Sequence, residues 1–164
     1  MAVITNLDFN QIVPSDVFGW EVNTDVGYGR ENVNLTLASG KVARVGTVVV
    51  VDYVAKTARL ATAADVADLA TAEALDLAVF VGKDLPTDGS NFDRLSATGA
   101  EQDGTPFVTV ITRGDGRGVL RKGYLDFDGT AYYDLGAAAQ KAVEAVFTTK
   151  NRFKVLEQQK PDLT

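Results

Sequence analysis

Residues 47–51 read Thr-Val-Val-Val-Val, and no other stretch restricts the fold as tightly. Two heavy atoms on each Cβ limit the side-chain rotamers, which disfavours a helix and suits a pleated strand. Beyond Thr47 the run offers no polar residue to a wet face, so it predicts a short strand buried on both sides. Upstream, Val33, Leu35 and Leu37 alternate with Asn34 and Thr36, the period of a strand with one wet face. Ala38-Ser39-Gly40 separates the two, glycine tolerating the positive φ of a tight turn. Residues 33–52 therefore predict a small β-module at the heart of the chain, built from local pairings.

The rest of the composition works mostly by exclusion. A chain of 164 residues with 46% hydrophobic and 23% charged residues is that of an ordinary globular protein, with room for one full domain and an arm or tail. Its formal charge of −6 repels phosphate backbones and anionic lipid, so neither nucleic acid nor a membrane surface is an expected partner. The sequence contains no histidine and no cysteine. That removes disulfides, thiol nucleophiles, the usual zinc sites, Ser-His-Asp triads and histidine acid–base chemistry together. No signal peptide or membrane span is expected, since the first residues lack a basic stretch and a continuous apolar core. No cofactor or metal is called for.

Residues 1–19 carry Val3, Ile4, Leu7, Phe9, Ile12 and Val13 at neither helical nor strict strand spacing. Pro14 is expected to stop any helix and to bias Val13 toward extended backbone. This segment either packs over its own core or forms an extended arm that finishes folding on a partner. Trp20, the sole tryptophan, reads as its anchor. Residues 53–60 are expected to pair back on the valine run, turning near Lys56 and Thr57. Residues 61–78 are alanine-rich and predict a short helix or two irregular turns. Residues 78–82 predict a buried strand, 83–104 a long surface loop, and 107–112 the clearest second strand. A turn over 114–118 leads to short strand pieces at Val119-Leu120 and Tyr124-Leu125. After a turn at Asp128-Gly129, residues 135–147 predict a helix with Val143, Val146 and Phe147 on one side. Residues 151–157 predict a terminal strand, with Phe153 and Val155 alternating against Arg152, Lys154 and Leu156. The expected organisation is an arm (1–19), a β-rich domain (20–127) and a helix–strand extension packed on it (128–164), a mainly β fold of the α+β kind.

Several short motifs carry possible chemistry. Asp126-Phe127-Asp128-Gly129-Thr130 matches the DxDGT loop of haloacid-dehalogenase-like phosphatases, where one Asp attacks phosphorus and the next acts as acid–base beside magnesium. That loop opens a doubly wound domain, and only 131–164 follows here, without a parallel-sheet pattern. A tight turn selects the same residues and is the favoured reading. Arg113-Gly114-Asp115 spells the adhesion tripeptide, read here as a hairpin turn. Asn34-Leu35-Thr36 is formally a glycosylation sequon within a strand. Lys41, Arg44, Arg113, Arg117, Arg121 and Lys122 form either a solvated rim or a patch for an acidic protein partner. Asp84, Asp88, Asp93, Glu101 and Asp103 lack the spacing of a calcium loop.

Taken in order, residues 32–126 resemble the head decoration (capsid cement) proteins of lambda-like tailed bacteriophages. The stretches that carry the resemblance are NVNLTLASGKVARVGTVVVVD, LAVFVGKD and SATGAEQDGTPFVTVITRGDGRGVLRKGYLDF. Thr36-Leu37-Ala38-Ser39-Gly40 with Gly46-Thr47-Val48 is the nearest match, and Ala97-Thr98-Gly99 and residues 108–114 fall in the family's order. The resemblance implies a small β-tulip or β-barrel-like domain that is not an enzyme and assembles as a homotrimer, or a dimer, on the outer surface of a virion. It implies that the arm orders on the major capsid protein and augments one of its strands. Val3, Ile4, Leu7, Phe9, Ile12 and Val13 would then be the capsid-binding residues, with Trp20, Arg113 and Arg117 at self-association or rim contacts. A tail-tube, baseplate or head-fibre component is the alternative, and a magnesium phosphatase built on Asp126 and Asp128 is the enzymatic one.

Overall fold

A computed structural model describes residues 14–20, 29–38, 41–83, 94–96 and 107–157. A single helical turn α1 (Pro14–Val17) runs into strand β1 (Phe18–Trp20). Strands β2 (Arg30–Thr36), β3 (Val42–Arg44), β4 (Val48–Asp52) and β5 (Thr57–Leu60) follow. A 3-10 turn (Ala63–Val66) and short helix α2 (Leu69–Glu73) lead to β6 (Leu77–Lys83), β7 (Arg94–Ser96), β8 (Phe107–Ile111) and β9 (Val119–Arg121). The last described elements are the hairpin β10 (Asp126–Phe127) and β11 (Thr130–Ala131), helix α3 (Ala137–Thr149) and strand β12 (Lys154–Leu156).

Five strands close into a barrel in the order β2-β5-β4-β6-β8. Strict up-and-down alternation cannot close around an odd number of strands, so at least one neighbouring pair must run parallel. Here that pair is β2 and β5, with Leu35 opposite Ala58, and the other contacts are antiparallel. Strand periodicity then sorts the side chains. Val33, Leu35, Val49, Val51, Ala58, Leu60, Ala78, Phe80, Val108 and Val110 fill the lumen. Val48, Val79, Val81 and Ile111 point outward into a second core, made with Val17, Phe18, Leu120, Phe127, Tyr132 and helix α3. The valine run is therefore a wall between two cores, with Val48, Val49 and Val51 buried and Val50 partly so. By contrast β2 buries Val33 and Leu35 and exposes Arg30, Asn32 and Thr36.

Helix α3 covers the wall with Ala139, Ala142, Val143, Val146 and Phe147, the i, i+3, i+4 stripe of an amphipathic helix. Beyond its end Arg152 adopts a left-handed conformation (φ 58°) and turns the chain out toward β12. Asn151 stitches that end to the barrel, its Nδ2 donating to the carbonyls of Leu77 (2.7 Å) and Thr112 (2.6 Å). Gly46 is required where it stands. Its φ is +96°, and a Cβ there would lie 2.5 Å from the Tyr124 carbonyl oxygen.

The fold is mainly β around a closed barrel, as the sequence predicts, and the differences are local. Pro14 begins a helical turn instead of preventing one, because the first helical position needs no N–H. Residues 61–78 hold both a 3-10 turn and α2 before β6 begins at Leu77. Strand β7 lies inside the stretch read as a loop and pairs antiparallel with β3. Tyr124 ends a 3-10 turn where a strand piece was expected.

Candidate functional site

Strand β9 has the pattern of a half-buried strand, Val-Leu-Arg, and it forms the centre of a second sheet, β1-β9-β12. β1 joins it antiparallel, with Phe18 opposite Leu120 and Trp20 opposite Val119. β12 joins it parallel, with Lys154 opposite Val119, Val155 opposite Leu120 and Leu156 opposite Arg121. Cross-strand partners share a face. Phe18, Leu120 and Val155 therefore point inward, where the Phe153 ring lies 6.0 Å from Phe18 and 6.2 Å from Phe147. Trp20, Val119 and Lys154 make one outward row, and Arg121 and Leu156 the next. Trp20 and Leu156 are each 48% exposed. Exposed large apolar side chains on one sheet face make it a candidate docking surface.

Two devices hold this face in shape. Arg121 reaches across Gly19 and donates from Nη1 to the carbonyl oxygens of Ser15 (2.8 Å) and Asp16 (3.1 Å), pinning α1 to the sheet. The glycine-rich turn before β9 is tied to the chain leaving α3. Gly114 N donates to Asn151 O (2.8 Å), Gly116 N to Arg152 O (2.7 Å) and Lys154 N to Gly118 O (2.8 Å). Gly114 lies flat on Phe153, where a Cβ would come within 2.5 Å of the ring. Asp115 is paired with Arg152 at 3.3 Å. The Arg-Gly-Asp tripeptide is thus part of a tethered turn.

An ion cluster fastens α3 beside this sheet. Lys122 Nζ donates to Glu144 (2.7 Å), which also accepts from the Tyr132 hydroxyl. Burial opposes the Lys122 charge, but the Glu144 hydrogen bond and charge outweigh it and raise the ammonium pKa. The same hydrogen bonds from Lys122 and Tyr132 hold the Glu144 carboxyl below its ordinary value. Burial first, then Glu144, pushes the Tyr132 phenol up.

The structure treats the expected site residues unequally. Trp20 and Arg117 come to one end of the sheet, since Trp20 pairs with Val119 and Arg117 stands in the exposed turn leading into it. Arg113 lies elsewhere, lining a cleft of about 300 Å³ with Glu31, Tyr53, Asp76, Lys150 and Asn151. Val3, Ile4, Leu7, Phe9, Ile12 and Val13 lie outside the described residues, as do Ala97-Thr98-Gly99 and the carboxylates at 84–103. Lys154 and Leu156 also belong to this face, though no motif marks them; their signal lies in 151–157, where both fall on the wet side of the alternation.

The DxDGT stretch is a hairpin turn. Asp128 (φ 50°) and Gly129 (φ 91°) occupy its two central positions, the left-handed pair of a type I′ turn. Asp126 is 5% exposed, accepts from Gly129 N (2.9 Å) and lies 3.3 Å from Arg44; Asp128 pairs with Lys41 at 2.8 Å. The strands it joins are two residues each, and helix α3, not a parallel sheet, follows. Among the described residues no cluster of three or more acidic side chains is placed to hold a metal, and no helix is long and apolar enough to cross a membrane. No protein-family model, curated protein or solved structure matches this chain.

Proposed function

We propose that this chain is a structural protein of a phage virion, bound to the outer surface of the capsid, where it stabilises the expanded shell by bridging capsomers. The major capsid protein and further copies of the chain, as a homotrimer or a dimer, are its partners. The proposal involves no catalysis and no cofactor. Its first support is the ordered resemblance across residues 32–126. The observation that carries it is the sheet face: Trp20 and Leu156, half exposed, sit with exposed Lys154 on the sheet that begins at β1, and exposed Arg117 stands in the turn that leads into it. The apolar segment 1–13 directly precedes α1 and β1 in the sequence. Burying the arm's apolar side chains would contribute on the order of 25 cal/mol per Å² before ordering costs. Attachment through several copies raises avidity without a strong single contact.

The test is the mass of the protein in solution followed by co-sedimentation with empty phage heads. A trimer or dimer that pellets with heads is expected, with attachment lost and the barrel still folded when residues 1–13 are removed. A truncated protein that coats heads as well as the full chain would remove the arm from the mechanism. Failure of the full chain to pellet, with ordered tubes or tail-bound particles under the electron microscope, would favour a tail-tube, baseplate or fibre component.

A further inference from the structure

The chain is acidic, with a formal charge of −6, yet the outward face of β1-β9-β12 is cationic. Arg117 and Lys154 are exposed and have no ion-pair or hydrogen-bonding side-chain partner among the described residues. Of the nearby carboxylates, Asp115 pairs with Arg152 and Glu144 with Lys122, while Glu157, exposed beyond Leu156, lies 3.8 Å from Lys122. Trp20 and Val119 share the outward row of Lys154, Leu156 stands in the next row, and Arg117 lies in the turn two residues before Val119.

We infer that this face docks an acidic polypeptide segment whose carboxylates alternate with apolar side chains, on the partner to which the chain attaches. The inference rests on reading the face as the attachment surface of the proposed function. Carboxylates would pair with Arg117 and Lys154, and apolar side chains would lie on the indole of Trp20 and against Leu156. Trp and Arg are the residue types that most often dominate binding energy at interfaces. A local positive patch on a negative molecule also fixes the orientation of encounter, so the charge pair contributes rate and specificity. A phosphate backbone fits less well. The whole-molecule field opposes it, and two free cations fall short of the roughly 6–10 phosphate contacts of a typical nucleic-acid site.

Because Trp20 is the only tryptophan, its emission reports on this face directly. The full chain is titrated with poly-L-glutamate, with single-stranded DNA, and separately with empty heads, using fluorescence and calorimetry. Poly-glutamate is expected to shift Trp20 emission saturably, with affinity falling about tenfold between about 50 and 500 mM NaCl. The variant Arg117→Glu with Lys154→Glu is expected to lose about tenfold or more in affinity for poly-glutamate and for heads at an unchanged unfolding midpoint. No saturable response by either readout, an unaltered affinity in the double variant, or tighter binding of DNA would overturn the inference. So would a Trp20 shift that follows protein concentration with a rise in mass, which would make a second copy the occupant. Poly-glutamate binding without attachment to heads would sink the capsid reading alone. Attachment to heads that the double variant leaves intact would sink the acidic segment alone.

Discussion

The wall formed by β4 and β6 and the sheet formed by β1, β9 and β12 draw on similar apolar residues under different constraints. In the wall, Val49 and Phe80 face the lumen and Val48 and Val79 face the α3 layer, all fully buried. In the sheet, Phe18 and Leu120 are buried while Trp20 and Leu156 on the opposite face remain half exposed. A strand between two cores has no surface to offer a partner, so both of its faces answer to packing. A sheet with one dry face keeps a side whose residues can change without undoing the core. Folding and the proposed attachment therefore draw on different residues, and substitutions in the two regions should have opposite signatures.

The largest expected effect is in the wall. Val79→Asp would bury an unpaired carboxylate where no partner is at hand, a cost of several kcal/mol, and should leave no folded protein by circular dichroism. Phe80→Ala should follow, losing about 3–5 kcal/mol as an aromatic ring is deleted from the lumen, read as a drop in the urea midpoint. At the rim of the barrel the comparison becomes electrostatic. Asp65 accepts both prongs of the Arg59 guanidinium at 2.8 and 2.7 Å and the backbone N–H of Thr62, which fastens the turn after β5. The Arg59 hydrogen bond above all pulls its carboxyl from 3.8 down to about 2. Because the folded pKa is depressed, this stabilisation is present above the unfolded value and lost as pH falls through the folded one. Asp65→Asn should cost about 1–2 kcal/mol at neutral pH, discounted for the half-exposed arginine. The gap to the unmodified protein should close between 3.8 and about 2, and a gap that persists at the acid end would contradict the assignment. The smallest stability effect belongs to the sheet face. Trp20→Ala should move the folding free energy by under about 1 kcal/mol, yet weaken attachment to heads about thirtyfold, as loss of a hot spot does.

What could be read from the sequence follows the same division. The valine run was legible because no polar residue interrupts 48–51 and three of its four valines are buried. Helix α3 was legible because Val143, Val146 and Phe147 repeat at helical spacing. The parallel pairing of β2 with β5 was not, since it depends on barrel closure and no local signal encodes it. Strand β7 was hidden in a stretch rich in Asp, Gly and Ser, its three residues made a strand only by β3 beside them. The face was half legible. Trp20 and Arg117 stood out as residue types, but their meeting required the register of β1 on β9. Leu156 looked like one more residue on a wet side, and only the parallel pairing of β12 places it beside Arg121. Arg113, four residues from Arg117 in the same turn-forming stretch, went to the cleft because Gly114 and Gly118 fold the loop back on itself.

The separation of folding from attachment is tested most directly by amide hydrogen exchange on the protein free and bound to expanded heads. The account predicts new protection on binding over 18–20, 119–121 and 154–156, with no change in the β4 and β6 wall, which is already closed on both faces. Protection gained instead over the outer face of β2 and β8, where Phe107 is also half exposed, with the sheet exchanging as it does in the free protein, would contradict it.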